Sequence, residues 1–256
     1  MIKDYLKLAK FKYHISFASV IAGALFFADK ITFSLLLSIV LVYISSTLLM
    51  YTGLYTINDI ADYHSDRAHP VKRNRVIASG KISLSSAKLF AAITIILGLL
   101  ISFFAFRKLF YFYPMFIALN IFYSFFAKKI PYLDLAANSI THPLRFIMGA
   151  ALVGAIVPTN LIFAYFFAAL GIATARRRFE MCHEGYEARK VLKKYSQKKL
   201  YIIELFSFIM VLVFMLVYFP ENVSGYSFLL VFYVFFVFVL GHGKKFRPFL
   251  TKLWLH

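Results

Sequence analysis

Of the 256 residues, 61% are hydrophobic and only 16% charged, and 29 Lys and Arg stand against 11 Asp and Glu for a formal net charge of +18. An average soluble domain is about half apolar and about a quarter charged, so this composition excludes a disordered chain and argues against a water-soluble globule. A nucleic-acid binder spreads its bases over a water-exposed fold; here they lie between apolar blocks, and no nucleic-acid partner is expected. The single cysteine, Cys182, permits no internal disulfide, and no CxxC or HExxH pattern offers a zinc site.

A membrane-crossing helix needs about 20 mostly apolar residues. Eight blocks approach or meet that length, at roughly 13–28, 32–57, 85–106, 109–127, 132–157, 160–175, 200–219 and 225–241. The first follows a basic start but has no clear small-residue cleavage site, so it reads as a retained helix. Between the blocks, short connectors alternate with basic ones. The N-terminus, 58–88, Lys128-Lys129, 176–199 and the tail from 242 together carry 25 of the 29 bases. The excess of bases on one side places both termini and these loops in the cytoplasm, as expected of a multi-pass protein of the cytoplasmic (inner) membrane. With no linker or defensible repeat, residues 1–256 read as a single all-α polytopic transmembrane helical bundle.

The second block ends in Asn58-Asp59-Ile-Ala-Asp62-Tyr-His-Ser-Asp66. On a helix, carboxylates at i, i+3 and i+7 fall within about 60° of arc. They repel unless a cation sits among them. Mg2+ takes oxygen ligands and completes its shell with water and substrate phosphate, so Asp59, Asp62 and Asp66 are candidate metal ligands, with Asn58 beside them. A solvated helix end pairing with nearby bases is the alternative. The following stretch holds Arg67, His69, Lys72, Arg73 and Arg75, which suit a diphosphate clamp or contact with anionic lipid.

Farther on, Tyr123, Lys128, Asp134 and Arg145 border the fourth and fifth blocks. Asp134 and Arg145 are costly inside an apolar span and should face the interior. On one helix their spacing is about three turns, or about 16 Å, which puts them on a shared face. Pairing with interior polar groups such as Asn138 or His142 is equally consistent. At the end of the sixth block, Arg176, Glu180 and Glu184 follow at i, i+4 and i+8, which also suits plain Arg–Glu pairing along a solvated helix. Seven of the 11 acids (Asp59, Asp62, Asp66, Asp134, Glu180, Glu184 and Glu187) thus lie around three basic loops.

The Asn58-Asp59-x-x-Asp62-x-x-x-Asp66 pattern resembles the first aspartate motif of the UbiA superfamily of intramembrane prenyltransferases. Its extension Arg67-x-His69-Pro70-x-Lys72-Arg73-x-Arg75-x-Ile77-Ala78-x-Gly80 is most similar to the decaprenyl-phosphate phosphoribosyltransferase branch. Tyr123-Ser124, Lys128, Asp134 and Leu144-Arg145-x-x-x-Gly149 resemble further segments of that branch, and Arg177-Arg178-x-Glu180…Glu184 stands where the superfamily has its second set of aspartates. The resemblance covers about residues 50–200. It departs at Val76, at Thr141-His142-Pro143, at the N-terminal Lys10-Phe-Lys12-Tyr-His14, and in the lack of a ninth span.

This resemblance implies a cytoplasm-facing central cavity and Mg2+-dependent transfer of 5-phosphoribose from phosphoribosyl pyrophosphate to a polyprenyl phosphate. Asp59, Asp62 and Asp66 would hold the metal, and Lys72 and Arg73 would act with them. Asn58, Arg67, His69, Arg75, Tyr123, Lys128, Asp134, Arg145, Arg176, Glu180 and Glu184 would bind substrate. The alternative is prenyl transfer from a prenyl diphosphate to an aromatic or lipid acceptor. A non-enzymatic lipid transporter would have no need of the aspartates. Membrane lipids are expected neighbours, and a homo-oligomer is left open.

Overall fold

The computed structural model describes residues 2–69, 72–183 and 190–216, and every long regular element among them is helical. The expected span at 225–241 lies outside the described residues, as do Glu184 and Glu187. The chain divides into two compact units, one of residues 1–126 with 144–156 and one of residues 127–143 with 157–256.

The first unit opens with α1 (Ile2–Leu8), a left-handed Lys10, a 3-10 segment Phe11–Phe17 and α2 (Ala18–Phe27). The helix α3 (Phe33–Ala61) starts where the Thr32 hydroxyl accepts the Leu35 N–H, and it crosses 29 residues without interruption. Its middle, Tyr43–Tyr51, is wound as a π-helix. There Ser45 is fully buried and bonds to the Tyr113 hydroxyl at 2.6 Å. Next come α4 (Tyr63–Ala68), α5 (Leu84–Ala105), capped by Ser83, and α6 (Phe112–Phe125). The residues from Leu144 of α8 (Thr141–Leu152) complete this unit.

Small residues set the helix crossings, as expected where no water drives association. A Cβ on Gly23 would lie 2.0 Å from the Phe146 carbonyl oxygen, and one on Gly149 2.0 Å from that of Val20, so α2 and α8 touch backbone to backbone. Gly53 and Gly98 do the same between α3 and α5. Hydroxyls of Ser46, Thr56 and Thr94 bond back to carbonyls one turn earlier, which satisfies them without water.

The second unit contains α7 (Leu133–Ser139), α9 (Thr159–His183) and α10 (Gln197–Leu216). Its small core gathers Leu135, Ala173, Met181, Leu192, Tyr195 and Leu200.

Among the described residues three helices are long and apolar enough to cross a membrane: Phe33–Ala61, Leu84–Ala105 and Thr159–Cys182. Large apolar side chains cover their outer faces, Phe33 and Phe104 among the most exposed, a surface that suits lipid contact. Three expected spans are redrawn. The second runs on to Ala61 and the sixth to His183, because their polar ends are paired rather than solvated. The fifth is two helices broken at Ile140. Pro143 has no N–H to give the Ser139 carbonyl, so the ladder cannot run through this point.

Candidate functional site

In the first unit, α3 ends at Ala61, and Asp62 sits between α3 and α4 at φ −91° and ψ 0°. The expected single row of three carboxylates is therefore bent. Asp59 and Asp66 are buried and Asp62 is half-buried.

Arg75 joins the two buried acids. Its Nη1 lies 3.3 Å from Asp59 Oδ1 and 2.8 Å from Asp66 Oδ2. The return of the chain that brings it there runs through α4, past His69, and into the 3-10 turn Lys72–Asn74. His69 Nδ1 accepts the Lys72 N–H at 3.2 Å, and the His69 carbonyl accepts the Arg73 N–H at 3.1 Å. Val76, Ile77 and Ile82 are buried with Leu8 and Ala87, which anchors this loop to the membrane end of α5. Burial raises the Asp66 pKa above the ordinary carboxylate value, and the Arg75 charge offsets only part of that rise.

A second cation reaches Asp59 that the sequence pattern did not single out. Lys10 Nζ lies 2.6 Å from Asp59 Oδ1, across 49 positions of sequence. No local signal marks so distant a pairing.

The remaining predicted residues of this unit divide in two. Asn58 Oδ1 accepts the Ser124 hydroxyl at 3.2 Å, and Tyr123 is half-buried beside that serine on α6. Arg67 turns onto its own helix, donating to the Tyr63 hydroxyl at 2.9 Å, and Arg73 is exposed. Arg145 is buried against aromatic faces, 4.6 Å from the Tyr51 ring centre and 5.6 Å from that of Phe116.

In the second unit, Asp134 has no exposed surface, and its oxygens receive the Tyr195 hydroxyl and Arg177 Nε, the latter at 2.9 Å. Burial, then the bond to Asp134, push the Tyr195 phenol up, so it remains the proton donor. The same hydroxyl accepts the N–H of Tyr132, a residue held at φ +67°. Arg177 Nη1 continues to Glu180 Oε2 at 2.7 Å, and Arg176 Nε takes Glu180 Oε1 at 3.1 Å. Arg178 pairs with Glu204 on α10 at 3.2 Å. Lys128 is half-buried in the 3-10 turn Ala127–Lys129.

Asp134 and Arg145, expected on one helix, lie on two, α7 and α8. The helix breaks between them, Asp134 is engaged by Arg177 and Tyr195, and Arg145 belongs to the other unit. Tyr195 and Glu204 were not picked out from the sequence, and Arg177 and Arg178 only as part of the arginine run before Glu180. Arg177 sits within a run of arginines that gives no reason to prefer one of them.

Among the described residues no group of three or more His, Cys, Asp or Glu converges closely enough to form a metal cage. The donor set still suits Mg2+, which binds through one or two carboxylates and leaves the rest of its shell to water and phosphate. One oxygen of Asp59 and one of Asp66 lie within 3.3 Å of a single cationic nitrogen.

The model of the UbiA prenyltransferase family matches residues 16–249. A decaprenyl-phosphate phosphoribosyltransferase of Corynebacterium glutamicum is 32% identical over 150 residues, which is 57% of this chain and 45% of that protein. One from Mycolicibacterium smegmatis is 30% identical over 154 residues, 58% of this chain and 48% of that protein. The uncharacterized protein y4nM of Sinorhizobium fredii is 32% identical over 133 residues, 52% of this chain and 26% of that protein. The matched stretch spans about half or less of these relatives. Among solved structures, a UbiA homolog from Archaeoglobus fulgidus bound to GPP and Mg2+ superimposes with a TM-score of 0.77 at 17% identity, covering 98% of this chain and 95% of that one. A structure described for digeranylgeranylglyceryl phosphate synthase gives 0.73 at 22% identity, covering 99% and 92%. These likenesses establish the fold.

Proposed function

The chain belongs to the UbiA prenyltransferase family, as an integral membrane transferase, and from that premise we propose that it moves 5-phosphoribose from phosphoribosyl pyrophosphate to a polyprenyl phosphate of the decaprenyl type. The observation that carries the reading is Arg75 bridging Asp59 and Asp66 at the end of the His69–Lys72–Arg73 turn. Acids for a metal and bases for a diphosphate then come from one continuous stretch. The partial likeness to two decaprenyl-phosphate phosphoribosyltransferases supports the same reading.

In this proposal Asp59 and Asp66, with Asp62, hold Mg2+, which when bound stabilises a diphosphate leaving group. Lys72, Arg73 and Arg75 neutralise phosphate oxygens whose charge grows as the C1–O bond breaks, and Arg67 and His69 flank them. Asn58, fixed by Ser124 beside Tyr123, orients the Asp59 end of α3. The lipid phosphate oxygen is already anionic and needs no strong base to attack C1; holding it in place is the protein's task. Lys128, at a basic turn, is assigned to that lipid phosphate.

In the second unit, Arg176 offers a half-buried cation to a phosphate group, with Glu180 fixing its direction. Asp134 acts one step back, positioning Arg177. Arg145 sets the aromatic faces of Tyr51 and Phe116.

Prenyl transfer within the same family is the rival, and it uses the same first aspartates. Glu180 favours the phosphoribosyl reading. Both of its oxygens are committed to arginines, so this position presents compensated charge where a second metal would need open carboxylates. The proposal includes a single transferase domain in the cytoplasmic membrane with its termini on the cytoplasmic side.

Membranes containing the protein are incubated with radiolabelled phosphoribosyl pyrophosphate and polyprenyl phosphate, with Mg2+ or with excess chelator. Label enters the lipid only with Mg2+. No labelled lipid, together with consumption of a prenyl diphosphate, overturns the assignment.

A further inference from the structure

Lys10 is an unusual residue to find on Asp59. It adopts φ +49° and ψ +51° between α1 and the 3-10 segment, a conformation that Gly or Asn takes more readily than Lys. What Lys supplies there is its side chain. The side chain is only 16% exposed, and its ammonium lies 2.6 Å from Asp59 Oδ1 and 5.8 Å from the Tyr55 ring centre. Asp59 and Asp66 therefore carry two negative charges against the two positive charges of Lys10 and Arg75.

That balance has a chemical cost for a divalent cation arriving alone. It would meet the carboxylates of Asp59 and Asp66 already paired with two cations, and Asp62 as the third acid beside them. A diphosphate arriving with the metal removes the conflict, because its oxygens accept the displaced cations while the carboxylates take the metal. We propose that Lys10 is an exchangeable counter-ion: it neutralises Asp59 in the substrate-free site and passes to a phosphate oxygen when a metal–diphosphate takes the carboxylate. Metal and diphosphate then bind synergistically, each weakly without the other. Arg75, joined to the same oxygen, moves with Lys10. The proposal rests on the metal–diphosphate reading above and adds a residue and an order of events to it.

The test uses the purified full chain in detergent, Mn2+ as the metal probe and inorganic pyrophosphate as the anion probe. Free Mn2+ is read by electron paramagnetic resonance, and pyrophosphate binding by calorimetry in the presence of Mg2+. In K10M, Mn2+ alone binds about tenfold more tightly than in the wild type, and pyrophosphate with Mg2+ binds about tenfold more weakly. K10R keeps the charge and stays close to the wild type in both measurements. K10Q keeps a hydrogen-bond donor for Asp59 without the charge, and it carries the K10M expectation if K10M does not fold.

Opposite shifts in the two affinities are the signature of exchange, since a purely structural lysine would weaken both. If the wild type binds Mn2+ and neither neutral variant binds it more tightly, the role of Lys10 is overturned while the metal reading stands. If the wild type binds neither Mn2+ nor pyrophosphate, the metal–diphosphate reading falls and this inference with it.

Discussion

Asp134 shows how a charged residue survives in an apolar protein. It is fully buried, and Arg177 and the Tyr195 hydroxyl occupy its oxygens, while Arg177 hands the chain of charges on to Glu180. Removing one partner of such a pair leaves an uncompensated buried charge and costs about 3–5 kcal/mol. Asp134→Ala is expected to lower thermal stability in detergent by that order, because Arg177 is left facing no carboxylate on this side. Tyr195→Phe deletes one hydrogen bond and should cost about 1–2 kcal/mol. Equal melting temperatures for Asp134→Ala and the wild type would contradict a positioning role for Asp134. At this scale the sequence was informative about which residues are costly and uninformative about their partners. The scarcity of acids marked Asp59, Asp66, Asp134 and Glu180 without any fold. The pairings of Lys10 with Asp59, and of Arg177 and Tyr195 with Asp134, stayed hidden because they join positions 49, 43 and 61 apart, beyond the reach of any periodicity.

The helices are held by close approach more than by side-chain bulk. The crossing of α2 and α8 depends on Gly23 and Gly149, each facing a carbonyl oxygen of the other helix. A methyl at Gly149 would lie 2.0 Å from the Val20 oxygen, so the backbones must part. Gly149→Ala is expected to destabilise the protein by about 1–3 kcal/mol, as overpacking does. At Gly154 a Cβ meets nothing within 4 Å, and the cost arises only from its φ of +78°. A chemical or thermal melt of the two alanine variants separates these causes, with Gly149→Ala the less stable. Hydropathy located most of the described spans but misplaced their ends. An apolar average falls at the first cluster of charges, yet α3 and α9 continue through theirs because Asp59 and Glu180 have cations to bond. The break at Ile140 was hidden inside a continuous apolar block, with Pro143 as its only written sign.

Across the whole molecule, the excess of bases has two distinct uses. Most Lys and Arg lie between the apolar blocks of the sequence, where they are expected to set orientation, whereas Lys10, Arg75, Arg176 and Arg177 are each bonded to an acid. Orientation is open to a direct test because the chain has one cysteine, and Cys182 is exposed at the end of α9. A membrane-impermeant maleimide should label it in inside-out vesicles and leave it unlabelled in right-side-out ones. The reverse pattern would invert the proposed topology.

The length of α9 has a mechanical consequence. Its 25 residues measure about 37 Å at the rise of an α-helix, several ångströms more than a hydrocarbon layer of about 30 Å. Arg176, Arg177 and Glu180 ride on the last turns, so helix length sets their height above the lipid tails. The helix works as a depth gauge. A thicker bilayer draws the arginine–glutamate ladder toward hydrocarbon, and a thinner one lifts it into water. Lipid chain length is then expected to change the setting of this ladder as well as the solvent around it.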